Sequence, residues 1–279
     1  MNMIADSSST KTDWAIVEHQ NVIAKATTSG INPFFQTRRE ISRVIRLGLP
    51  EDYFKQKYER IYYYGAGCNN ETKSDIVKAS LIAQFRSHTV VESDLLAAAR
   101  SLFNNEAGIA CILGTGSNSC FYDGKDIKKN VRAGGYILGD EGSAAALGRM
   151  FLSDYVKGLV PEDLAEMFLQ QTSIGPDDAL TEVYNKPMPN SLLAKAGYFL
   201  TDYISNPYVE QLIEDNLRQF FTRNVCQYEC KTCKVRFVGL AASKFSVELC
   251  RVAKSFDIEV DEIRDRSMEG LIQYHASVF

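Results

Sequence analysis

Ile109-Ala110-Cys111-Ile112-Leu113-Gly114-Thr115-Gly116-Ser117-Asn118-Ser119 is the most informative segment of the chain. An unbroken apolar run followed by two glycines among small hydroxyl side chains predicts a buried strand entering a tight turn. Such glycines let backbone N–H groups approach a phosphate closely, and a plain hairpin would use them equally well. The stretch is decisive because it repeats, in kind, the opening of the chain.

That opening predicts a strand over Asn2 to Ala5 running into Ala5-Asp6-Ser7-Ser8-Ser9-Thr10-Lys11-Thr12-Asp13. Asp13 to Glu18 and Asn21 to Thr27 read as the next two strands, separated by the polar step at His19 and Gln20. The period then changes. Apolar spacing at Ile41, Val44, Ile45 and Leu47 predicts a helix, Arg60 to Tyr64 a strand, Ser74 to Phe85 a helix, Thr89 to Glu92 a strand and Leu95 to Phe103 a helix. The order β-β-β-α-β-α-β-α begins again at Ile109, where Ser119 to Tyr122 and Val131 to Tyr136 are expected to complete a second hairpin. A helical insertion follows over Ala144–Tyr155, Pro161–Gln171, Leu192–Ile204 and Tyr208–Tyr228, with Asp163, Asp177 and Asn190 near helix starts. The alternation resumes with a strand at Val235–Gly239, a helix at Lys244–Lys254, a short strand near Ile258 and a final helix from Arg266. The reading is an α/β protein of two copies of one unit, 1–106 and a larger 107–265, with the closing helix over 266–279.

Composition narrows the function. A net charge of −4 and a pI near 5.6 give no electrostatic reason to bind nucleic acid or an anionic membrane. The amino end lacks a basic segment followed by a long apolar run, and no stretch approaches the roughly 18 to 20 apolar residues of a membrane span. A cytoplasmic enzyme of small molecules is expected. Seven scattered cysteines suit a reducing compartment, and Cys226-x-x-x-Cys230-x-x-Cys233 lacks a clear fourth ligand for a metal.

Several segments carry candidate chemistry. In the first turn, Asp6 ends a strand where it could hold magnesium through water, while Ser8, Ser9, Thr10 and Lys11 offer hydroxyls, N–H groups and a cation to phosphate. A polar hairpin loop is the plain alternative. Paired with Gly114, Thr115 and Gly116, however, the two turns would open equivalent halves of a duplicated fold and face each other as a nucleotide clamp. No G-x-x-x-x-G-K-[ST] sequence is present, nor a G-x-G-x-x-G at a strand-to-helix junction, so neither a P-loop nor a Rossmann site is supported.

Asp94 stands where a strand gives way to a helix. It could take the proton of an attacking hydroxyl, although Ser93 or Asp94 reads equally as a helix N-cap. Gly134-Gly135-Tyr136-Ile137-Leu138-Gly139-Asp140-Glu141-Gly142-Ser143 concentrates glycines and two acids before a helix, which suits a loop pressed against sugar hydroxyls or a hydrated metal. Phe237-Val238-Gly239-Leu240-Ala241-Ala242-Ser243 suits close approach of an adenosine or ordinary strand-to-helix packing. His19, His88 and His275 form no ligand spacing, and Trp14 reads as a packing residue.

Taken in order, these segments resemble the N-acetylglucosamine kinase-like group of the actin, sugar kinase and Hsp70 superfamily, including the BadF/BadG/BcrA/BcrD-type ATPases. The most specific piece is Gly139-Asp140-Glu141-Gly142-Ser143 following Gly114-Thr115-Gly116-Ser117-Asn118. The resemblance implies two ribonuclease H-like lobes closing over ATP and magnesium, with the last helix packed on the first lobe. It implies that Asp6 organises magnesium and that Thr10, Lys11 and Thr115 lie in the phosphate loops; Glu141 of the acidic loop is a second candidate for the metal. It makes Asp94 the catalytic base. Asn32, Asn118 and Asp140 match sugar-contacting positions, with Ser117, Gly134 and Gly135 in the same loops, and Gly239 and Ser243 match the adenosine region.

The expected reaction is ATP-dependent phosphorylation of an amino sugar, N-acetylglucosamine to its 6-phosphate, with a homodimer left open. Ser8 departs from the group, which usually has glycine there. Its Cβ predicts a phosphate clash or a strained backbone costing about 1 to 3 kcal/mol, and reduced ATP use. Arg132-Ala133-Gly134-Gly135-Tyr136 also replaces a longer, Trp-bearing segment of the mammalian-type enzymes, which bears on the identity of the sugar. Two alternatives follow: a BadF-type ATPase driving a redox partner, and a sugar-binding pseudokinase.

Overall fold

Met3, Ile4 and Ala5 are fully buried because their strand has a neighbour on each side. The computed structural model describes residues 1–19, 21–186 and 188–277; Gln20, at the predicted polar step, and Val278 and Phe279, in the predicted final helix, lie outside the described residues. Strands β1 (Asn2–Ser7), β2 (Lys11–Glu18) and β3 (Asn21–Ser29) form an antiparallel meander. Then come α1 (Arg38–Gly48), α2 (Asp52–Lys55), β4 (Arg60–Gly65), α3 (Glu71–Phe85), β5 (His88–Ser93) and α4 (Asp94–Phe103). The β4 strand lies parallel to β1, and β5 parallel to β4, giving the sheet order β3-β2-β1-β4-β5. Central β1 and β4 are apolar on both faces, as expected where helices cover a sheet, whereas edge strand β3 is mostly exposed.

The same order recurs. Strands β6 (Gly108–Leu113), β7 (Ser117–Tyr122), β8 (Ile127–Val131), β9 (Val235–Val238) and β10 (Val260–Arg264) give β8-β7-β6-β9-β10, with β6 antiparallel to β7 and parallel to β9. Between β8 and β9 lie α5 (Gly135–Leu138), α6 (Ala144–Tyr155), α7 (Glu162–Thr172), α8 (Pro176–Asn185), α9 (Pro189–Phe199) and α10 (Pro207–Arg223), with 3₁₀ turns at Leu200–Tyr203 and Val225–Gln227. After β9 come α11 (Leu240–Lys244) and α12 (Ser246–Lys254), and after β10 comes α13 (Met268–Ser277). Phe151, Tyr155, Phe168 and Phe199 interlock to hold the insertion together. The expected α/β class and its two ribonuclease H-like sheets are present. Among the described residues no helix is long and apolar enough to cross a membrane.

The chain divides into two compact units, Met1–Glu106 with Asp123–Ile127 and Arg266–Phe279, and Ala107–Tyr122 with Lys128–Asp265. Within the first, Met268, Leu271 and Ile272 of α13 pack on Ile4, Ala15, Val17, Tyr62 and Tyr64. Tyr64 Oη lies 2.9 Å from His275 Nε2 and accepts a bond from Arg100 Nη1 at 2.9 Å. Burial, with Arg100 nearby, lowers the His275 pKa to about 3 and keeps the ring neutral.

Several expected elements are corrected. The second hairpin does not use Val131–Tyr136: its strand ends at Val131, because Gly134 and Gly135 take positive φ and lead into α5. The second turn is shorter than expected, since Ser117 and Asn118 pair with Leu113 and Ile112. The helix expected over Lys244–Lys254 is two helices joined at Phe245, and the long helix expected to Tyr228 ends at Arg223. The last strand starts at Val260 rather than near Ile258, α2 is additional, and the helix start expected near Asp177 is that of α8 at Pro176.

Candidate active site

The carboxyl ends of the parallel strands β1, β4 and β5 finish at one level, with Ser7 beside Gly65 and Gly65 beside Ser93. In open α/β sheets this is the end at which ligands bind. Asp6 is one residue before this level and Asp94 one residue after it. The register also sets Asp6 beside Asp13 of β2. Burial first, then the charges of Asp94 and Asp13, raise the Asp6 pKa to about 7, against lowering by a hydrogen bond from Ser267 and by Lys11. Burial likewise raises Asp94 to about 6. The charges acting on Asp6 are thus two carboxylates against one lysine, a balance that a divalent cation would relieve. The lysine is itself engaged, since Lys11 Nζ lies 2.9 Å from Asp13 Oδ2.

The competing role for Asp94 is taken by its neighbour. Ser93 has extended backbone and its hydroxyl accepts the N–H of Leu96 at 3.2 Å, so Ser93 is the N-cap of α4. Asp94 is the first helical residue, and its Oδ1 accepts the N–H of Leu95 at 2.9 Å.

In the first turn, Ser8 N–H donates to Lys11 O at 2.9 Å. The Ser8 hydroxyl oxygen accepts the N–H groups of Thr10 at 3.3 Å and Lys11 at 3.2 Å. Ser8 does not take positive φ, so the expected backbone strain is absent; the hydroxyl instead occupies two of the turn's donors. Behind the turn, Gly30 packs where a Cβ would stand 2.5 Å from Thr10 N. Asn32 Nδ2 donates to Ser9 Oγ at 2.9 Å, which ties the Ser29-Gly30-Ile31-Asn32 segment to the turn.

The second unit gathers its own set. Gly114 N–H donates to Gly116 O at 2.9 Å, and the carbonyls of Gly114 and Thr115 accept the N–H groups of Ala144 and Ala145 at the start of α6. Asp140, buried and at φ 55°, accepts the Ser117 N–H on Oδ1 at 3.3 Å. Asn118 Oδ1 accepts from Ser119 N and from Asn130 Nδ2, both at 2.9 Å. Gly239, at φ 126°, lies where a Cβ would stand 2.2 Å from Leu113 O, so the strand before the second turn and the start of α11 touch backbone to backbone. Ser243 follows on α11, its N–H donating to Gly239 O at 3.1 Å. Glu141 is buried and ion-paired with Arg223 of α10. Gly134 and Gly135 are exposed at the start of α5.

Thus the structure groups Asp6, Ser8, Ser9, Thr10, Lys11, Asn32 and Asp94 in one unit, and Gly114 to Asn118, Gly134, Gly135, Asp140, Glu141, Gly239 and Ser243 in the other. Sequence reasoning missed Asn216. It is buried, accepts the Gly142 N–H at 2.9 Å and donates to Ser143 O at 3.1 Å, clamping the acidic loop from α10. Arg223, two turns further along the same helix, pairs with Glu141 of that loop. An Asn and an Arg on an amphipathic helix carry no local signal of this role. Among the described residues no group of three or more His, Cys, Asp or Glu side chains is placed to hold a metal directly, and Cys226, Cys230 and Cys233 are free thiols.

No protein-family profile and no curated protein matches the sequence. Among solved structures, the chain is 40% identical to a candidate N-acetylglucosamine kinase from Porphyromonas gingivalis, with 99% of each chain covered and a TM-score of 0.94. A candidate N-acetylglucosamine kinase from Chromobacterium violaceum shares the fold at 14% identity, 98% of each chain and a TM-score of 0.74. A ROK family glucokinase from Streptomyces griseus, solved with glucose and AMPPNP, does so at 14% identity, 99% and 98% coverage and a TM-score of 0.58.

Proposed function

Because this chain belongs to the N-acetylglucosamine kinase-like family of actin-like sugar kinases, we propose that it transfers the terminal phosphoryl group of ATP to an amino sugar, converting N-acetylglucosamine to its 6-phosphate. The class, an ATP-dependent carbohydrate kinase, comes with the family; the particular sugar and the residue roles are our reading. The observation that carries it is the pair Asp6 and Asp94 at one sheet end, with Ser93 taking the capping duty that would otherwise account for Asp94.

Asp94 accepts the proton of the attacking hydroxyl, and a carboxyl raised to about 6 is ionised at neutral pH while remaining basic enough for the task. Magnesium suits Asp6, a buried carboxyl with the charges of Asp94 and Asp13 near it, which a cation held largely through water and phosphate would relieve. When bound it would neutralise charge on the transferring group. The N–H groups and side chains of Ser9, Thr10 and Lys11, and the turn of Gly114, Thr115 and Gly116, are assigned to phosphate, with Ser8 guarding the first set. Gly239 and Ser243 are assigned to adenosine. Asn32, Ser117, Asn118, Gly134, Gly135 and Asp140 are assigned to the sugar, where fixed polar groups orient the hydroxyl for transfer. Glu141 serves the acidic loop through Arg223 rather than as a direct metal ligand.

The test is ATP consumption by the purified protein with magnesium over N-acetylglucosamine, glucosamine, N-acetylmannosamine, glucose and no sugar, with products identified by mass. N-acetylglucosamine 6-phosphate is expected. Sugar-independent hydrolysis would favour the partner-driving ATPase, and sugar binding without transfer the pseudokinase.

A further inference from the structure

The loop after β3 leaves two aromatic rings in solvent, Phe34 at 51% and Phe35 at 67% exposure. Isolated exposed apolar residues are ordinary, but Phe34 is held on several sides. Its N–H donates to Asn32 Oδ1 at 3.0 Å. Its ring edge rests on Gly67, where a Cβ would stand 2.9 Å from Phe34 Cδ2 and 2.5 Å from Asn32 Oδ1. Lys73 Nζ lies 4.8 Å from the ring centroid while donating to Pro33 O at 3.0 Å. A ring fixed by backbone, glycine and cation, yet half open, has already lost the freedom that binding would otherwise cost.

Its position is informative. Gly67 comes two residues after the end of β4, at the level where Gly65 pairs with Ser93 and the chain passes to Asp94. The neighbouring Cys68 thiol is pushed up to about 12 by burial and then by the charge of Asp94. Phe34 therefore belongs to the same end of the first sheet as the proposed base, beside Asn32.

We propose that Phe34, with Phe35 next to it, is the apolar wall of the acceptor sub-site and selects a sugar carrying an N-acyl substituent, the acyl methyl lying against the ring. The inference rests on the reading of the chain as an amino-sugar kinase. Sugar hydroxyls need polar partners, which an aromatic face does not supply, whereas a methyl group gains by covering it. A free amine is disfavoured because the cation site of the ring is taken: Lys73 already places a positive charge against it and would repel an ammonium ion. An N-acyl sugar carries no charge and avoids that repulsion.

The test uses the whole chain and compares kcat/KM for N-acetylglucosamine with kcat/KM for glucose in the wild type, Phe34→Ala and Phe34→Trp. Because the readout is a ratio within each protein, a partly misfolded preparation does not distort it. Wild type should favour the N-acetyl sugar. Phe34→Ala should lower the ratio by about tenfold, the low end for a pocket that loses one apolar contact, and Phe34→Trp should keep it within about twofold of wild type. An unchanged ratio in Phe34→Ala, or a wild type that prefers glucose, overturns the sub-site while leaving the kinase standing. A wild type that phosphorylates no sugar overturns both.

Discussion

Removing the Ser8 hydroxyl should tighten ATP binding. In the first turn that oxygen accepts the N–H groups of Thr10 and Lys11 at 3.3 and 3.2 Å, so the donors assigned to phosphate are already satisfied by the protein. Phosphate must displace the hydroxyl before it can use them. Both bonds are long and solvent-exposed, which places each near the lower end of the usual net range, about 0.5 kcal/mol. Ser8→Ala keeps the Cβ and deletes both, together with the hydroxyl's contacts to Lys11 O and Thr10 Oγ1, which hold neither N–H donor; binding then no longer has to break about 1 kcal/mol of interaction at those donors, equivalent to roughly a fivefold lower Kd. Ser8→Gly frees the same donors but loosens the turn at a cost of about 0.5–1 kcal/mol, so its affinity should fall between wild type and Ser8→Ala. Titration calorimetry with magnesium and a non-hydrolysable ATP analogue reads all three proteins. A Kd that rises threefold or more in Ser8→Ala would refute the reasoning, because the hydroxyl would then be a phosphate ligand rather than a competitor for its donors.

Asp94→Ala should lower kcat by at least about 100-fold, the lower range for loss of a general base, while the Kd for the ATP analogue stays within about twofold; near-normal turnover would remove Asp94 from that role. The wild-type kcat/KM should fall on the acid side through apparent pKa values of the Asp6–Asp94 pair near 6 to 7, because transfer needs the ionised base, and a profile flat down to pH 5 would contradict the assignment. Both carboxyls are raised above their unfolded values, so without metal their contribution to stability is greatest below about pH 4 and is lost as pH rises through 6 and 7. Magnesium should therefore raise the melting temperature more at pH 8 than at pH 5.5, and equal shifts would argue against Asp6 as its anchor. Asn216→Ala strips the buried Gly142 N–H and Ser143 carbonyl of their partner, a loss of about 2–3 kcal/mol that calorimetry should read as a melting temperature about 5–10 °C lower.

What could be read in the sequence was local. A run such as Ile109–Leu113 announces a buried strand through its own side chains, and glycines at 114 and 116 announce the turn because no other residue offers that approach. The duplicated order followed from two such openings, and the recurring sheet order bears it out. Where two local signals competed, the sequence left the matter open: Ser93 and Asp94 are equally good caps, and only the bond from Leu96 N–H to the Ser93 hydroxyl decides between them. The strand expected at Val131–Tyr136 failed because apolar residues around two glycines fit a strand pattern as well as a turn, and the positive φ of Gly134 and Gly135 chose the turn. The Asn216 clamp was invisible for a different reason. It reaches Gly142 across 74 residues, and nothing near either position marks the other.

The docking of α13 on β1 has a consequence for biosynthesis. The first sheet is assembled from residues near the amino end, yet Ile4, Ala15 and Tyr64 receive their cover from Met268, Leu271 and Ile272. On the ribosome that sheet face has only Ala97 of α4 as cover until the second unit has been made, which at about 5–20 residues per second is a delay of roughly ten to forty seconds. Throughout that interval an apolar surface that will end up dry is open to chaperones, and truncation before residue 266 should yield a sticky, incompletely folded first unit rather than a smaller stable one.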